Sequence, residues 1–410
     1  MEVVHHCCKA SKVSPQGGDD FISSMPENVI ANIMDRLPLT DAVGTSVLSP
    51  AWRFNWTLLT QLILDDDVVD SLPEDFNKSD ISRLLLHLKQ VTKFCLTITS
   101  NIKLDDADMY HWLMFLSRIR GFKELTLYNA RPTPLKLPTH LFSCLDLKHL
   151  ELCDCVLSPS PYFRGFPKLL TLELDDVSIP EHKYGEFIAR CPLLETLKIW
   201  NRDLIGEVKL VEIAKLKNLK VVRLSSCLLD IHINMVRLST VFHRMSLLPK
   251  LLDLNLSLKN CEFLLEDVAQ TAFSSTFPFL KSLGLYHMDF SSVSMLSCAF
   301  AMIFGCPNLQ ALSIYAMYKN VIPLPTIFPS EVDCSTTGKL QLQKVTLVWI
   351  KGLENEVCLI KYILACSPKL KSIEIQLDSS IASNVNDKYK LANKLLKLHR
   401  TSPIAEVVIL

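Results

Sequence analysis

Glycine is scarce in this chain: it accounts for 11 of 410 residues, and none of them forms the Gly-rich loop that wraps a nucleotide phosphate. A G-x-S-x-G elbow and an H-E-x-x-H helix are also missing, so phosphate-binding, serine-hydrolase and metalloprotease chemistry find no motif here. The 14 cysteines include no C-x-x-C pair; scattered through apolar segments, they read as reduced core residues rather than zinc ligands or a disulfide framework. Net charge is absent too, Lys+Arg 43 balancing Asp+Glu 43. No global field then draws in phosphate backbones or anionic membranes, and neither nucleic acid nor membrane is expected as a partner. No apolar run approaches the ~20 residues of a membrane span. The start, Met1-Glu2-Val3-Val4-His5-His6-Cys7-Cys8, lacks the basic segment and apolar run of a secretory signal. A soluble intracellular protein, cytoplasmic and/or nuclear, is expected, with no enzymatic activity and no cofactor.

What is present is a large apolar fraction, 49% against 21% charged, enough to bury a substantial core. Two clusters tempt a metal reading. His5-His6-Cys7-Cys8 sits in a tail over residues 1–18 expected to be disordered, where chance is the simpler explanation. Cys153 and Cys155 stand two apart, so on one strand they would share a face.

A dense apolar pattern begins at Asp19-Asp20. Val29, Ile30, Ile33, Met34 and Leu37 recur at helical intervals, with Pro26 tolerated in the first turn and Pro38 stopping the helix. Thr40 is placed to cap a second short helix carrying Ala42, Val43 and Val47; Ser49-Pro50 suits the start of a third carrying Trp52, Trp56 and Leu59. So small a unit holds more apolar side chains than its interior needs, and is expected to bury the surplus on a partner.

These residues resemble the plant-type F-box. The pattern stands as Asp20-Phe21-Ile22-Ser23-Ser24-Met25-Pro26, Arg36-Leu37-Pro38, Ala42-Val43-Gly44-Thr45-Ser46-Val47-Leu48-Ser49 and Trp52-Arg53. It departs in Met25, where leucine is usual, and in Pro50-Ala51, where basic residues are common. The resemblance implies a domain over 19–60 that binds a Skp-type adaptor through Met25, Pro26, Ile30, Ile33, Leu37, Pro38, Val47, Leu48 and Trp52. Through that adaptor it implies a cullin and a RING protein. Each of these residues taken alone reads equally well as core of its own helix.

From residue 62 a strand-like L-x-L core recurs, usually with another leucine three residues before it. Clear copies are Leu147-x-x-Leu150-x-Leu152, Leu194-x-x-Leu197-x-Ile199, Leu280-x-x-Leu283-x-Leu285 and Leu370-x-x-Ile373-x-Ile375. First strand positions at 125, 150, 172, 197, 222, 254, 283, 312, 345 and 373 give intervals of 22 to 33 residues, a leucine-rich-repeat period. One such unit cannot bury its own leucines, so units stack. The expected fold class is α/β: a three-helix F-box, then a leucine-rich-repeat solenoid over 61–380 with a curved parallel sheet. Residues 184–190 and 295–303 suit outer-face helices ended by Cys191-Pro192 and Cys306-Pro307. The final stretch, 381–410, resembles the FBD region that ends many plant F-box/leucine-rich-repeat proteins, and is expected to cap the open end of the stack.

The whole resemblance implies a substrate-recognition subunit of a ubiquitin ligase, its F-box on the adaptor and its repeats on a protein target. An interaction scaffold that delivers nothing for ubiquitination stays open as the alternative. In an x-L-x-L-x strand the x positions face the concave side. The residue after the second leucine runs Tyr128, Cys153, Asp175, Trp200, Ser225, Ser257, Tyr286, Tyr315, Val348 and Gln376. Tyr286 and Tyr315 fall on adjacent rungs and should form one platform; Trp200 should lie three rungs off, at roughly 14 Å. Trp200, Tyr286 and Tyr315 are the candidate target-binding residues, with Glu173, Lys198 and Arg223 as a polar rim.

Overall fold

The computed structural model describes residues 25–72, 76–99, 102, 104–179, 184–201, 213, 215–225, 246–258, 277–318 and 340–410. The expected 1–18 tail, the His5–Cys8 cluster and Asp20–Ser24 of the F-box pattern lie outside them. The F-box region opens with α1 (Glu27–Met34), whose cap is Pro26, and α2 (Leu39–Gly44), whose cap is Pro38. Both prolines fix the backbone at a position whose N–H an α-helix leaves unpaired anyway. Thr40 therefore does not cap, and Val47 falls in a single 3-10 turn, Thr45–Val47.

The expected third helix is a run of turns ending in a 3-10 helix, Asn55–Leu58. Its bonds all run from residue i+3 back to i: Trp52 to Ser49, Asn55 to Trp52, Thr57 to Phe54 and Leu59 to Trp56. Side chains three apart eclipse in that pitch. Asp35, just past α1, fastens this unit to the repeats by accepting from the Thr60 amide at 2.7 Å, the Thr60 hydroxyl at 2.6 Å and the Gln61 amide at 3.3 Å.

Behind it runs one parallel sheet. Its strands are β1 (Gln61–Leu64), β2 (Lys93–Ile98), β3 (Glu124–Asn129), β4 (His149–Cys153), β5 (Thr171–Asp175) and β6 (Thr196–Trp200). They continue as β7 (Val221–Ser225), β8 (Asp253–Ser257), β9 (Ser282–Met288), β10 (Ala311–Ala316), β11 (Lys344–Ile350), β12 (Ser372–Leu377) and β13 (Glu406–Ile409). Sequence order is sheet order. The first inward residue of each strand pairs with the first of the next, Leu150 with Leu172, Leu172 with Leu197, Leu254 with Leu283, and Ile373 with Val407. The repeat phase read from the sequence is thus the sheet register, and these inward side chains form one core running the length of the stack.

The strand ends depart from strict alternation. Asp154, Asp176, His287 and Trp349 take positive φ of 50°, 48°, 57° and 62°, each following the outermost concave position of its strand. Such values cost a residue other than glycine about 1–2 kcal/mol; at Asp154 and Asp176 the strand has ended, while His287 and Trp349 lie within β9 and β11 where the register shifts. Cys153 and Cys155 consequently do not share a strand face: Asp154 intervenes, and Cys155 enters a separate two-residue strand, Cys155–Val156.

Helices Tyr184–Ala189, Val293–Phe304 and Glu354–Cys366 lie between successive strands, with buried Cys191 and Cys306 at the turns that follow the first two. Cys366 is disulfide-bonded, against the expectation that all the cysteines are reduced. At the C-terminal end, β13 pairs in the common register with β12 and adds a rung. It leaves Ile404, Val408 and Leu410 in water.

The register gives a direct test. Leu197→Ala opens a cavity in the stacked core and should lower the unfolding free energy by about 2–5 kcal/mol. Lys198→Ala, one residue along on the concave face, should cost under about 1 kcal/mol. Urea denaturation of both variants measures the difference; equal costs would contradict the assignment of inward and outward positions.

Candidate functional site

Two surfaces stand out. On the F-box, Val47 is 85% exposed, Leu48 68% and Phe54 66%. Their neighbours explain why: Ala42, Met34 and Leu59 already fill the interior, and the 3-10 turn at Thr45–Val47 directs the following side chains outward. Met25, Pro26 and Pro38 are exposed; Ile33, Leu37 and Trp52 are half-buried. Ile30 is a correction. At 6% exposure it is core beneath this surface, because α1 must turn one side of its stripe inward with Met34. Val29 and Phe54, both exposed, complete the apolar surface; Phe54 follows the Trp52-Arg53 pair that carried the motif and carried no periodic signal of its own.

The second surface is the concave face. Tyr286 and Tyr315 stack with ring centroids 4.5 Å apart and planes 10° from parallel. Trp200 meets Tyr286 in a T-shaped contact at 6.2 Å, against the roughly 14 Å that strand spacing alone implies. Two things bridge that distance. The intervening positions are Ser225 and Ser257, which are small, and on the concave side of a curved sheet side-chain tips converge. At the other end Trp349 meets Tyr315 at 6.0 Å, making a continuous row Trp200–Tyr286–Tyr315–Trp349. Trp200 and Trp349 are 44% and 47% exposed, while both tyrosines are half-buried.

Trp349 is an extra residue beside Val348. The register between β11 and β12 shifts between Val348 and Ile350; Val348 keeps its place beside Tyr315 and Gln376 but is buried, while Trp349 is 47% exposed. The sequence carries a signal: inward residues Val345 and Leu347 are followed by inward Ile350, three residues on where two would keep the alternation. The strained backbone of Trp349 is braced from behind. Its carbonyl accepts from the Tyr318 hydroxyl at 3.2 Å, and that hydroxyl also contacts the carboxylate of Glu356. Glu356 accepts further from the Leu353 amide at 2.7 Å and the Lys351 amide at 3.3 Å, while the Lys351 ammonium lies 4.3 Å from the centre of the Tyr318 ring. Burial pushes the Glu356 carboxyl up, and the converging donors hold it in place.

Of the expected concave line, Cys153, Ser257 and Val348 are buried, the first two carrying hydrogen bonds to Asp175 and His287. The polar rim is internally paired: Lys198 bonds Glu173 at 2.9 Å and Arg223 bonds Asp253 at 2.9 Å.

Sequence comparison matches the F-box and part of the repeats. The F-box domain family matches residues 22–59, and the family "FBD-associated F-box protein At5g56370, LRR repeats" matches 109–251. The F-box/FBD/LRR-repeat protein At1g13570 of Arabidopsis thaliana is 30% identical over 95% of this chain and 98% of its own length. The chain belongs to the F-box/FBD/LRR-repeat family. The Arabidopsis FBD-associated F-box protein At3g52670 is 30% identical over 44% of this chain and 44% of its own. F-box/LRR-repeat protein At3g59200 of the same plant is 33% identical over 44% and 37%. An F-box in general takes a Skp-type adaptor as its partner, and an F-box joined to repeats has the general role of a substrate adaptor.

Among the described residues, Cys144, Cys191 and Cys306 are held as unreactive thiols. Burial pushes the Cys144 and Cys306 thiols up to about 12 and the Cys191 thiol up to about 11, so at pH 8 the thiolate needed for nucleophilic attack is a trace species. Iodoacetamide at pH 8 should leave Cys144, Cys191 and Cys306 unmodified in the native protein and label all three after unfolding in guanidinium, as read by peptide mass spectrometry. Stoichiometric labelling of native Cys306 would contradict this account of the turns.

Proposed function

We propose that this protein is the substrate-recognition subunit of a Skp-cullin-F-box ubiquitin ligase, acting in the cytoplasm and/or nucleus. The observation that carries the reading is the exposure of Val47, Leu48 and Phe54, large apolar side chains that the interior does not require and that suit burial on a partner. The adaptor covers these side chains and brings in the cullin and the RING protein; the concave face of the repeats holds a protein target through Trp200, Tyr286 and Tyr315. No bond is made or broken by this chain, and no cofactor is required. Its contribution is effective concentration: a target held beside a ubiquitin-charged enzyme reacts as if intramolecularly.

Leu48→Asp tests the adaptor side cleanly, since an exposed position changes without disturbing the fold. Burying that carboxylate against an apolar partner is costly, and capture of a Skp-type adaptor should fall by at least about tenfold. Wild-type capture by this variant would overturn the assignment. The same Leu48→Asp chain, unable to enter the ligase, should accumulate undegraded target. Adding Trp200→Ala, Tyr286→Ala and Tyr315→Ala should then reduce quantitative capture of that target by at least about tenfold, and unchanged capture would remove the concave face from consideration. Ubiquitin transfer to the captured target in a reconstituted ligase separates this role from that of a passive scaffold.

A further inference from the structure

Between the F-box and the first repeat lies a cavity of about 410 Å³. On one side stand Leu39 and Val43 of α2 and Trp56 of the 3-10 helix Asn55–Leu58. The other side belongs to the first repeat, whose helices are α3 (Asp66–Ser71) and α4 (Lys78–His87). It supplies Leu72 just after α3, Phe76 just before α4, and Leu84 within α4. The pattern of α4 explains the opening: Ile81 and Leu85 face the repeat core and are buried, which leaves Leu84, one position round, half-buried at the cavity wall. Leu39, Trp56, Leu72 and Phe76 are likewise half-buried, packed on the core behind and open to the cavity in front. Neither unit covers this apolar surface.

The polar groups at the mouth offer a free small molecule little hold. Asp80 accepts from the Asn77 amide at 3.0 Å and lies 3.4 Å from Arg83, and His87 meets Trp56 in a T-shaped contact at 5.9 Å. Thr40 and Arg83 are exposed to water. Among the described residues, no buried polar atom without a partner lines the cavity, whereas small-molecule sites depend on such anchors for orientation.

Continuity favours a partner of the F-box itself. Residues 39–48 make one right-handed run, α2 passing directly into the 3-10 turn, with Gly44, Thr45 and Leu48 all in helical conformation. Residues four apart on such a run are neighbours, so Leu39, Val43 and Val47 form an apolar line that starts in the cavity and ends at an exposed residue of the F-box surface. Gly44 adds no side chain to obstruct it, and a Cβ there would meet nothing within 4 Å. A partner seated over Val47 and Leu48 is thus held at the mouth, where one of its apolar segments enters as an intramolecular step.

We propose that this cavity receives an apolar segment of the Skp-type adaptor, so that Phe76 and Leu84 of the first repeat extend the adaptor interface beyond the F-box. The inference rests on the reading of Val47, Leu48 and Phe54 as the adaptor surface. Contact with both units fixes the direction in which the repeats leave the adaptor. The test is calorimetric titration of the full chain with a purified Skp-type adaptor, comparing wild type, Phe76→Ala, Leu84→Ala, Phe76→Leu and Leu48→Asp, with circular dichroism checking the fold of each. Phe76→Ala and Leu84→Ala should each weaken binding about tenfold, and Phe76→Leu, which keeps a large apolar side chain, much less. Truncating a half-buried residue can also loosen the fold, so radical footprinting of the wild-type chain supplies a second measurement: Phe76 and His87 should lose reactivity when the adaptor binds. Folded Phe76→Ala and Leu84→Ala chains that bind as wild type does, or Phe76 and His87 as reactive in the complex as in the free chain, would overturn the inference and leave the cavity to a small ligand. Binding that falls on Leu48→Asp but shows none of these first-repeat effects defeats this inference alone, whereas binding indifferent to Leu48→Asp defeats the broader reading.

Discussion

An inward leucine of one rung can leave water only against the rung beside it. Each repeat supplies a single short strand, too little to bury two or three large side chains by itself, so the units must stack in one register or not fold at all. The consequence is visible from Leu62 to Val407, where the inward positions pair strand by strand across the whole parallel sheet. The two ends of such a stack are the weak points. The first rung is fastened to the F-box through the bonds of Asp35 to Thr60 and Gln61. At the far end β13 repeats the pattern and leaves apolar side chains at the boundary.

The same register builds the functional surface. Because inward positions are fixed, the alternate positions fall into rows across the concave face, and residues far apart in sequence become neighbours. Trp200 and Tyr286 meet in this way, and so do Glu173 and Lys198. The positive-φ residues at strand ends are where the rows are edited. At Trp349 an inserted residue adds a tryptophan beside Val348 on the concave side, and the Tyr318–Glu356 cluster holds that otherwise unfavourable backbone. Packing and recognition are thus two faces of one strand, joined by its two-residue period.

This explains what the sequence revealed and what it concealed. The leucine spacing specified the strands and their register because burial enforces it at every rung. Outer helices such as Val293–Phe304 were legible from their apolar density and the Cys-Pro that follows. The third F-box helix was not, since a 3-10 run and an α-helix share the same short apolar pattern and differ only in pitch. Nor was the closeness of Trp200 to Tyr286, which depends on curvature and on small intervening residues rather than on rung count. Cys153 and Cys155 were misplaced for a related reason, because a single left-handed residue between them ends the strand. Trp349 was legible in principle, from the odd spacing between Leu347 and Ile350.

The account assigns adaptor and target to separate faces of one rigid stack. Hydroxyl-radical footprinting of the full chain, with and without a Skp-type adaptor, reads side-chain exposure at both faces in one experiment. Adaptor binding should quench modification of Met25, Leu48 and Phe54 while leaving Trp200 and Trp349 as reactive as in the free chain. Protection of the two tryptophans with no change at Leu48 and Phe54 would contradict it.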